Sequence, residues 1–247
     1  MPLAYVRFYA HLNDFLAHKR RQVEFAHNFD GAPSIKDMIE SLGVPHTEVA
    51  MILVNGAPVD FNYHVMDGDH ISVYPVFEHL NLPPEVSVQP QKPHEARFVA
   101  DVHLGRLAAY LRMVGFDTLY PQDYRDEELA RISSEEDRIL LTRDRGLLKR
   151  RIVRHGYAVR SPDPWEQLGE VIKRFDLYDQ IMEFCRCATC NGTLEAVEKT
   201  EIAHLLPEKT TEYYDEFRRC TVCGKIYWRG SHYEQMDRFI EKLLRER

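Results

Sequence analysis

The placing of the cysteines constrains this chain more than any other feature. Of five, four fall into two pairs, Cys187-x-x-Cys190 and Cys220-x-x-Cys223, separated by 29 residues. A disulfide scaffold would spread its cysteines through a short secreted chain. Two Cys-x-x-Cys pairs in a chain of 247 residues instead bring four thiolates around one ion. Four sulfur ligands fill a tetrahedral shell and leave no place for water, so the expected ion is a structural zinc. Its binding free energy, about 10 kcal/mol or more in small zinc-binding peptides, becomes folding free energy for a segment too small to bury a core. The spacer exceeds the roughly 15–20 residues of a compact ribbon, which predicts a longer hairpin or an added helical turn. Asn191-Gly192 and Gly224-Lys225 follow the two pairs and tolerate the tight turn of each knuckle. Cys185 has no evident partner.

The rest of the chain divides by pattern. Residues 80–96 carry four prolines and neither a helical nor a strand period. Proline fixes φ and removes an amide donor, so this reads as an extended linker. It predicts an N-terminal domain over 1–79, an α/β domain over 97–182, and the ribbon with a final helix over 183–247. In the first domain Tyr5–Tyr9, Val23–Phe25, Val49–Val54 and Ile71–Tyr74 read as strands. Ser34 caps a helix carrying Ile35, Met38, Ile39 and Leu42 and ending at Gly43. The order β-β-α-β-β predicts an α+β, β-grasp fold. From Arg97 onward strands alternate with helices: Arg97–Ala100, Phe116–Tyr120, Arg138–Thr142 and Tyr157–Val159 interleave with helical stretches, the last opened by Pro164. Such alternation predicts an α/β domain with a parallel sheet.

Charge is distributed unevenly. Residues 1–96 hold 6 Lys+Arg against 12 Asp+Glu, a net of −6, whereas residues 143–160 hold seven basic side chains and one acid, Asp144, a net of +6. That basic run is where a polyanion would land; a solvated helix face is the plainer reading. No apolar run reaches the about 20 residues needed to span a bilayer, and the N-terminus lacks signal-peptide zones. The expectation is a cytoplasmic protein with no membrane partner.

Aspartates stand just beyond strand ends: Asp101 follows the first strand of the α/β region, and Asp144 lies shortly after Leu141. Ligands of open α/β sheets gather there. Asp123, Asp126, Glu127 and Glu128 follow the second strand. Carboxylates converging from separate loops repel unless a cation lies between them, and hard oxygen ligands select Mg²⁺ or Mn²⁺. Each acid has a simpler role to compete with this: Asp101 and Asp144 as helix caps, and the 126–128 acids as complements to a helix dipole.

Two resemblances sharpen these expectations. Val54-Asn55-Gly56 and Gly68-Asp69-x-Ile71 resemble the ubiquitin-like sulfur carriers of thiamine and molybdopterin synthesis. Those carriers act through a free C-terminal Gly-Gly, which is absent here, so the expected role is a docking module for a protein partner. Phe98-Val99-Ala100-Asp101-x-x-Leu104-Gly105-Arg106-Leu107-Ala108-x-Tyr110-Leu111-Arg112-Met113-x-Gly115-Phe116-Asp117-Thr118 resembles the opening of the Mut-seven C-terminal RNase domain, a PIN-like family. Ile139-Leu140-Leu141-Thr142-Arg143-Asp144-Arg145-Gly146 and Cys220-x-x-Cys223-Gly224-Lys225-x-Tyr227-Trp228 match it as well. The resemblance implies a metal-dependent ribonuclease whose catalytic acids are Asp101, Asp126 or Glu127, and Asp144, with Mg²⁺ or Mn²⁺ as cofactor and RNA as partner. It gives Arg106, Arg143 and Arg145 the look of phosphate contacts, with ion pairing to the acids as the competing role. The alternative is a non-catalytic RNA-binding or adaptor protein that keeps the fold and the ribbon.

Overall fold

Period-two burial builds the first sheet. In strand β1 (Leu3–Phe8), Ala4, Val6 and Phe8 are buried while Leu3, Tyr5 and Arg7 point the other way. The computed structural model describes residues 1–76, 82–90 and 95–245. After β1 come β2 (Phe25–Asn28), α1 (Ile35–Ser41), β3 (Val49–Val54), β4 (Ala57–Pro58) and β5 (His70–Pro75). The α/β stretch follows as β6 (Phe98–Ala100), α2 (Gly105–Met113), β7 (Thr118–Leu119), α3 (Asp126–Glu135), β8 (Ile139–Thr142), α4 (Arg145–Leu148), β9 (Gly156–Ala158) and α5 (Pro164–Phe175). Last come β10 (Leu194–Ala196), α6 (Lys199–Ile202), α7 (Glu208–Tyr213), β11 (Phe217–Cys220), β12 (Ile226–Trp228) and α8 (Ser231–Arg245). The chain forms two compact units, one of residues 1–95 with 123–158, the other of 96–122 with 159–247.

In the first unit the five strands of the N-terminal sheet run in the order β2-β1-β5-β3-β4. The two longest-separated strands, β1 and β5, pair in parallel with Tyr5 opposite His70, and β3 pairs antiparallel with β5. This is the expected β-grasp. Its second strand begins two residues later than the sequence pattern placed it, because Val23 is exposed and Phe25 is the residue that turns inward against Phe8. Ser34 caps α1 by accepting from the Asp37 amide (3.1 Å). Asn55 and Gly56 both take positive φ, 52° and 84°, forming the two-residue hairpin between β3 and β4. Buried Asp69 accepts from the Asn55 amide group, the Tyr63 hydroxyl and the Met66 amide (2.8–3.0 Å). The Asn-Gly and Gly-Asp motifs therefore belong to one hydrogen-bonded corner.

The compact units do not follow the proline-rich boundary. Residues 77–81 and 91–94 of that region lie outside the described residues. Within 82–90 the chain turns at Pro83, and the Val88 amide donates to the Ala50 carbonyl (2.9 Å). The Gln89 side chain donates to the Thr47 and Val49 carbonyls. Residues 123–158 complete the unit. There β8, buried throughout, pairs in parallel with β9, Leu140 opposite Gly156.

In the second unit β6 and β7 also pair in parallel, with Phe98 opposite Thr118. Phe98 is fully buried and meets Phe116 and Phe175 edge-on at 5.8 and 6.2 Å. Helix α2 buries Leu107, Ala108 and Leu111 and ends at Gly115, whose φ of 101° suits no other residue. Pro164 occupies the first turn of α5 behind an Asp163 cap. Trp165 stacks on Tyr110 (4.4 Å) and lies against Phe239 of α8 (5.0 Å), so one indole joins α2, α5 and α8. Strands β10, β11 and β12 form a three-stranded antiparallel ribbon. Its long spacer is taken up by the two short helices α6 and α7. Among the described residues no helix is long and apolar enough to cross a membrane.

Candidate metal centre and acidic residues

The four paired cysteines converge. Their sulfur atoms all lie within 4.8 Å of one another, with Cys187 3.6 Å from Cys223 and Cys190 3.4 Å from Cys220. Tetrahedral zinc at about 2.3 Å from each sulfur would set the sulfurs about 3.8 Å apart, so the cluster fits such an ion after small adjustments. Asn191 (φ 68°) and Gly224 (φ 72°) make the turns behind the two pairs, as the sequence predicts. Amides point at the sulfurs: Cys190 to Cys187 (3.4 Å), and Val222 and Cys223 to Cys220 (3.4 and 3.5 Å).

The electrostatics favour a cation here. Burial opposes the Cys187 thiolate. The Tyr227 hydroxyl, 3.0 Å away, and the amides of Cys190 and Thr189 outweigh that and bring the thiol down to about 6. Burial pushes Cys190 up to about 12, reinforced by its three sulfur neighbours. Four thiolates this close cannot all ionise alone; a divalent ion removes the conflict.

The first knuckle is fastened to α2 and β7. Buried Arg112 donates through Nε to the Thr118 carbonyl (2.8 Å) and through one terminal nitrogen to the carbonyls of Ala188 and Thr189 (3.1 and 3.0 Å). Burial lowers the Arg112 pKa, and the negative groups at Cys187, Cys190 and Asp117 act against that. Asn191 completes the joint, accepting from the Thr118 amide (3.0 Å) and donating to the Asp117 carboxylate (2.8 Å). The sequence marked Arg112 only as one position of a helical motif; nothing in its spacing announces three carbonyl partners, two of them more than 70 residues away.

The aromatic residues after the second pair have separate duties. Tyr233 is buried edge-on against Phe184 (4.8 Å), seating α8. Arg229 lies between Glu183 and Glu216 (3.9 and 3.7 Å). Trp228 is half-buried and, with Met113, Lys225, Ile226 and Tyr233, lines a cavity of about 290 Å³.

The carboxylates are divided between the units. Asp101, in the second, is buried directly after β6 and accepts from the Val102 amide (2.6 Å), capping a short 3-10 turn. Arg106 is exposed on the first turn of α2. In the first unit, Asp144 is exposed beyond β8 and caps α4, accepting from the Gly146 amide (2.7 Å). Its own amide donates to Thr142 Oγ1 (2.9 Å). A β-carbon at Gly146 would sit 3.1 Å from Asp144 Oδ1, which accounts for glycine in the Thr-Arg-Asp-Arg-Gly motif. The Asp144 cap uses one carboxylate oxygen, Oδ1.

The three adjacent acids of α3 separate in role. Glu128 closes a capping box by accepting from the Arg125 amide (3.0 Å). Asp126 and Glu127 both face Arg150, at 3.9 and 3.2 Å. Of the three arginines with the look of phosphate contacts, Arg143 is exposed next to Asp144. Arg145 lies over the Phe15 ring (4.8 Å) and donates to the Phe15 carbonyl (3.2 Å). Asp163 gives Oδ1 to the Trp165 and Glu166 amides as the α5 cap.

A β-grasp domain followed by an α/β region with parallel strands and a four-cysteine centre defines a ubiquitin-like domain fused to a metal-ribbon-bearing α/β domain. Residues 96–240 match the family described as Mut7-C RNAse domain, and residues 1–81 match the Mut7-C ubiquitin family. The chain belongs to the Mut7-C RNase domain family, with its ubiquitin-like domain in front. It is similar to "Exonuclease mut-7" of Caenorhabditis elegans, 26% identical over 129 residues, which is 47% of this chain and 14% of that protein. The chain therefore matches a small part of that relative's length. No solved structure matches the chain significantly.

Proposed function

We propose that this protein is a metal-dependent ribonuclease that hydrolyses RNA phosphodiester bonds, with zinc in the four-cysteine centre as a structural ion. Membership of the Mut7-C RNase family carries this reading. The placing of Asp101 after β6 and of Asp144 after β8 supports it, since both follow the carboxyl ends of parallel strands. Asp101, Asp144 and one of Asp126 and Glu127 are the proposed holders of Mg²⁺ or Mn²⁺. When bound, such ions lower the pKa of a coordinated water and neutralise charge on the scissile phosphate. The water oxygen bonds to phosphorus, the bond to the leaving ribose oxygen breaks, and that oxygen takes up a proton. Arg106 and Arg143, both exposed, are the proposed phosphate contacts, and Arg143 is adjacent to the proposed acid Asp144.

Purified full-length protein, incubated with labelled single-stranded RNA, is expected to cleave with Mn²⁺ or Mg²⁺ and to stop on chelation. Asp101→Asn and Asp144→Asn are expected each to remove cleavage while RNA binding persists. RNA binding without cleavage of any RNA under these conditions would leave the non-catalytic adaptor as the better reading.

A further inference from the structure

We infer that the ubiquitin-like domain serves this chain's own nuclease region: the turn before β3 holds segment 123–158 in place, with Glu48 as its positioning residue. The inference about the hold stands on geometry alone; its consequence for catalysis rests on the nuclease reading above.

The contacts are specific and buried. Glu48 is 0% exposed, and its Oε1 accepts from the Ala158 amide (2.7 Å) at the end of β9. Its Oε2 lies 3.7 Å from His11 Nε2, and the Ala158 amide adds a directional partner from the gripped segment. Two residues earlier, His46 bridges the same surfaces. Its Nε2 donates to the Val153 carbonyl (2.9 Å), and its Nδ1 lies 2.6 Å from the Glu40 carboxylate. Lys149 Nζ donates to the Glu40 carbonyl (2.6 Å). Arg145 reaches the Phe15 and Asp14 carbonyls (3.2 and 3.4 Å). Backbone groups from α1, the turn after β1, and the two ends of β9's approach are thus joined by side chains whose partners lie more than 100 residues away in sequence.

Charge agrees with the geometry. Residues 1–95 carry a net −6, and residues 143–158 of the same compact unit carry six basic side chains against Asp144, a net of +5, so opposite charges meet across the contact. The segment gripped by the ubiquitin-like domain contains Asp126, Glu127 and Asp144. Arg145 and Lys149 are committed to the grip, which leaves Arg143, Arg151 and Arg154 as the exposed cations of the basic run.

The test uses full-length, zinc-loaded protein and amide hydrogen exchange read peptide by peptide. Loss of a charge-assisted hydrogen bond corresponds to about a 10- to 100-fold change in local opening. Glu48→Ala is expected to speed exchange in peptides covering 139–158 by that factor, with the ribbon peptides around β11 unchanged. Glu48→Gln keeps an acceptor for Ala158 and is expected to recover most of the protection. Lys149→Met, on the opposite side of the contact and only half-buried, is expected to give a weaker change in the same peptides. Unchanged exchange in 139–158 for both Glu48→Ala and Lys149→Met would overturn the inference. So would acceleration spread equally over the ribbon. If the protein cleaves RNA, Glu48→Ala is also expected to raise the Mn²⁺ concentration needed for half-maximal rate, and Glu48→Gln to restore it. A protein inert on RNA would count against the nuclease reading alone, because the exchange pattern needs no turnover.

Discussion

Arg112 is the residue whose removal should reveal how the metal centre is supported. Replacing it with methionine preserves much of the apolar stem and deletes the guanidinium. Three carbonyls, of Thr118, Ala188 and Thr189, then lose their donor inside the protein. The Ala188 and Thr189 bonds share one nitrogen, so the set amounts to about two full hydrogen bonds from a charged donor. At about 1.5–3 kcal/mol each, the expected destabilisation is about 3–6 kcal/mol. The metal should respond as well. Ala188 and Thr189 lie between Cys187 and Cys190, so freeing their carbonyls loosens the knuckle, and a buried positive charge that interacts with Cys187 and Cys190 is lost. Outer partners of this kind are worth about 10- to 100-fold in metal affinity. Competition with a chromogenic chelator reads zinc affinity, and thermal unfolding of zinc-loaded protein reads stability. Arg112→Lys, which keeps the charge but presents a point donor in place of a fork, should fall between. A methionine variant with wild-type zinc affinity and an unchanged Tm would refute the coupling of α2 to the knuckle.

Two further predictions concern the same unit. Burial and the neighbouring Asp237 carboxyl raise Glu183 from about 4.5 to about 7, so the folded state binds an extra proton between those values. Stability should therefore fall as pH rises from about 4.5 to about 7. Glu183→Gln should flatten that slope, recovering about 1–2 kcal/mol at pH 8 once solvent screening is allowed for. Denaturant melts at pH 5 and pH 8 check this, and parallel slopes for the two proteins would contradict it. Gly115 combines a φ of 101° with a position where a β-carbon would lie 2.4 Å from the Met182 carbonyl oxygen. Gly115→Ala should cost at least the about 1–3 kcal/mol of the backbone conformation alone; a change below 0.5 kcal/mol, about the scatter of neutral surface substitutions, would show that the 182 segment yields freely.

Local chemistry was readable in the sequence wherever a few adjacent residues decide the outcome. The Ser34 cap, the Asn55-Gly56 hairpin, Pro164 at the head of α5 and the four-cysteine cluster all follow from short-range rules. The parallel strands β8 and β9 follow from unbroken apolar runs. What could not be read was how charged side chains find distant backbone. Arg145 and Lys149 look in sequence like members of a cationic stripe, and a net charge cannot tell a phosphate contact from a bond to Phe15 or Glu40. Glu48 sits in a polar turn that suggests exposure, and its burial depends on an amide 110 residues later. The proline-rich stretch predicted separation because proline weakens local order. Whether two halves associate is set by surfaces elsewhere, here Glu40, His46 and Glu48 against Lys149, Val153 and Ala158. Among the acids, the structure distinguishes Glu128 by its cap, a distinction three consecutive carboxylates do not carry.

The central claim is that side chains after separate strands share one divalent ion. Crystals of the full-length protein soaked in Mn²⁺, with data collected at the manganese absorption edge, address it directly. The expected result is an anomalous peak bonded to the carboxylates of Asp101 and Asp144, with Asp126 or Glu127 as a third ligand, and lost in Asp101→Asn. No manganese at these acids, with Asp101 and Asp144 each satisfied by its own cap and ion pairs, would contradict it.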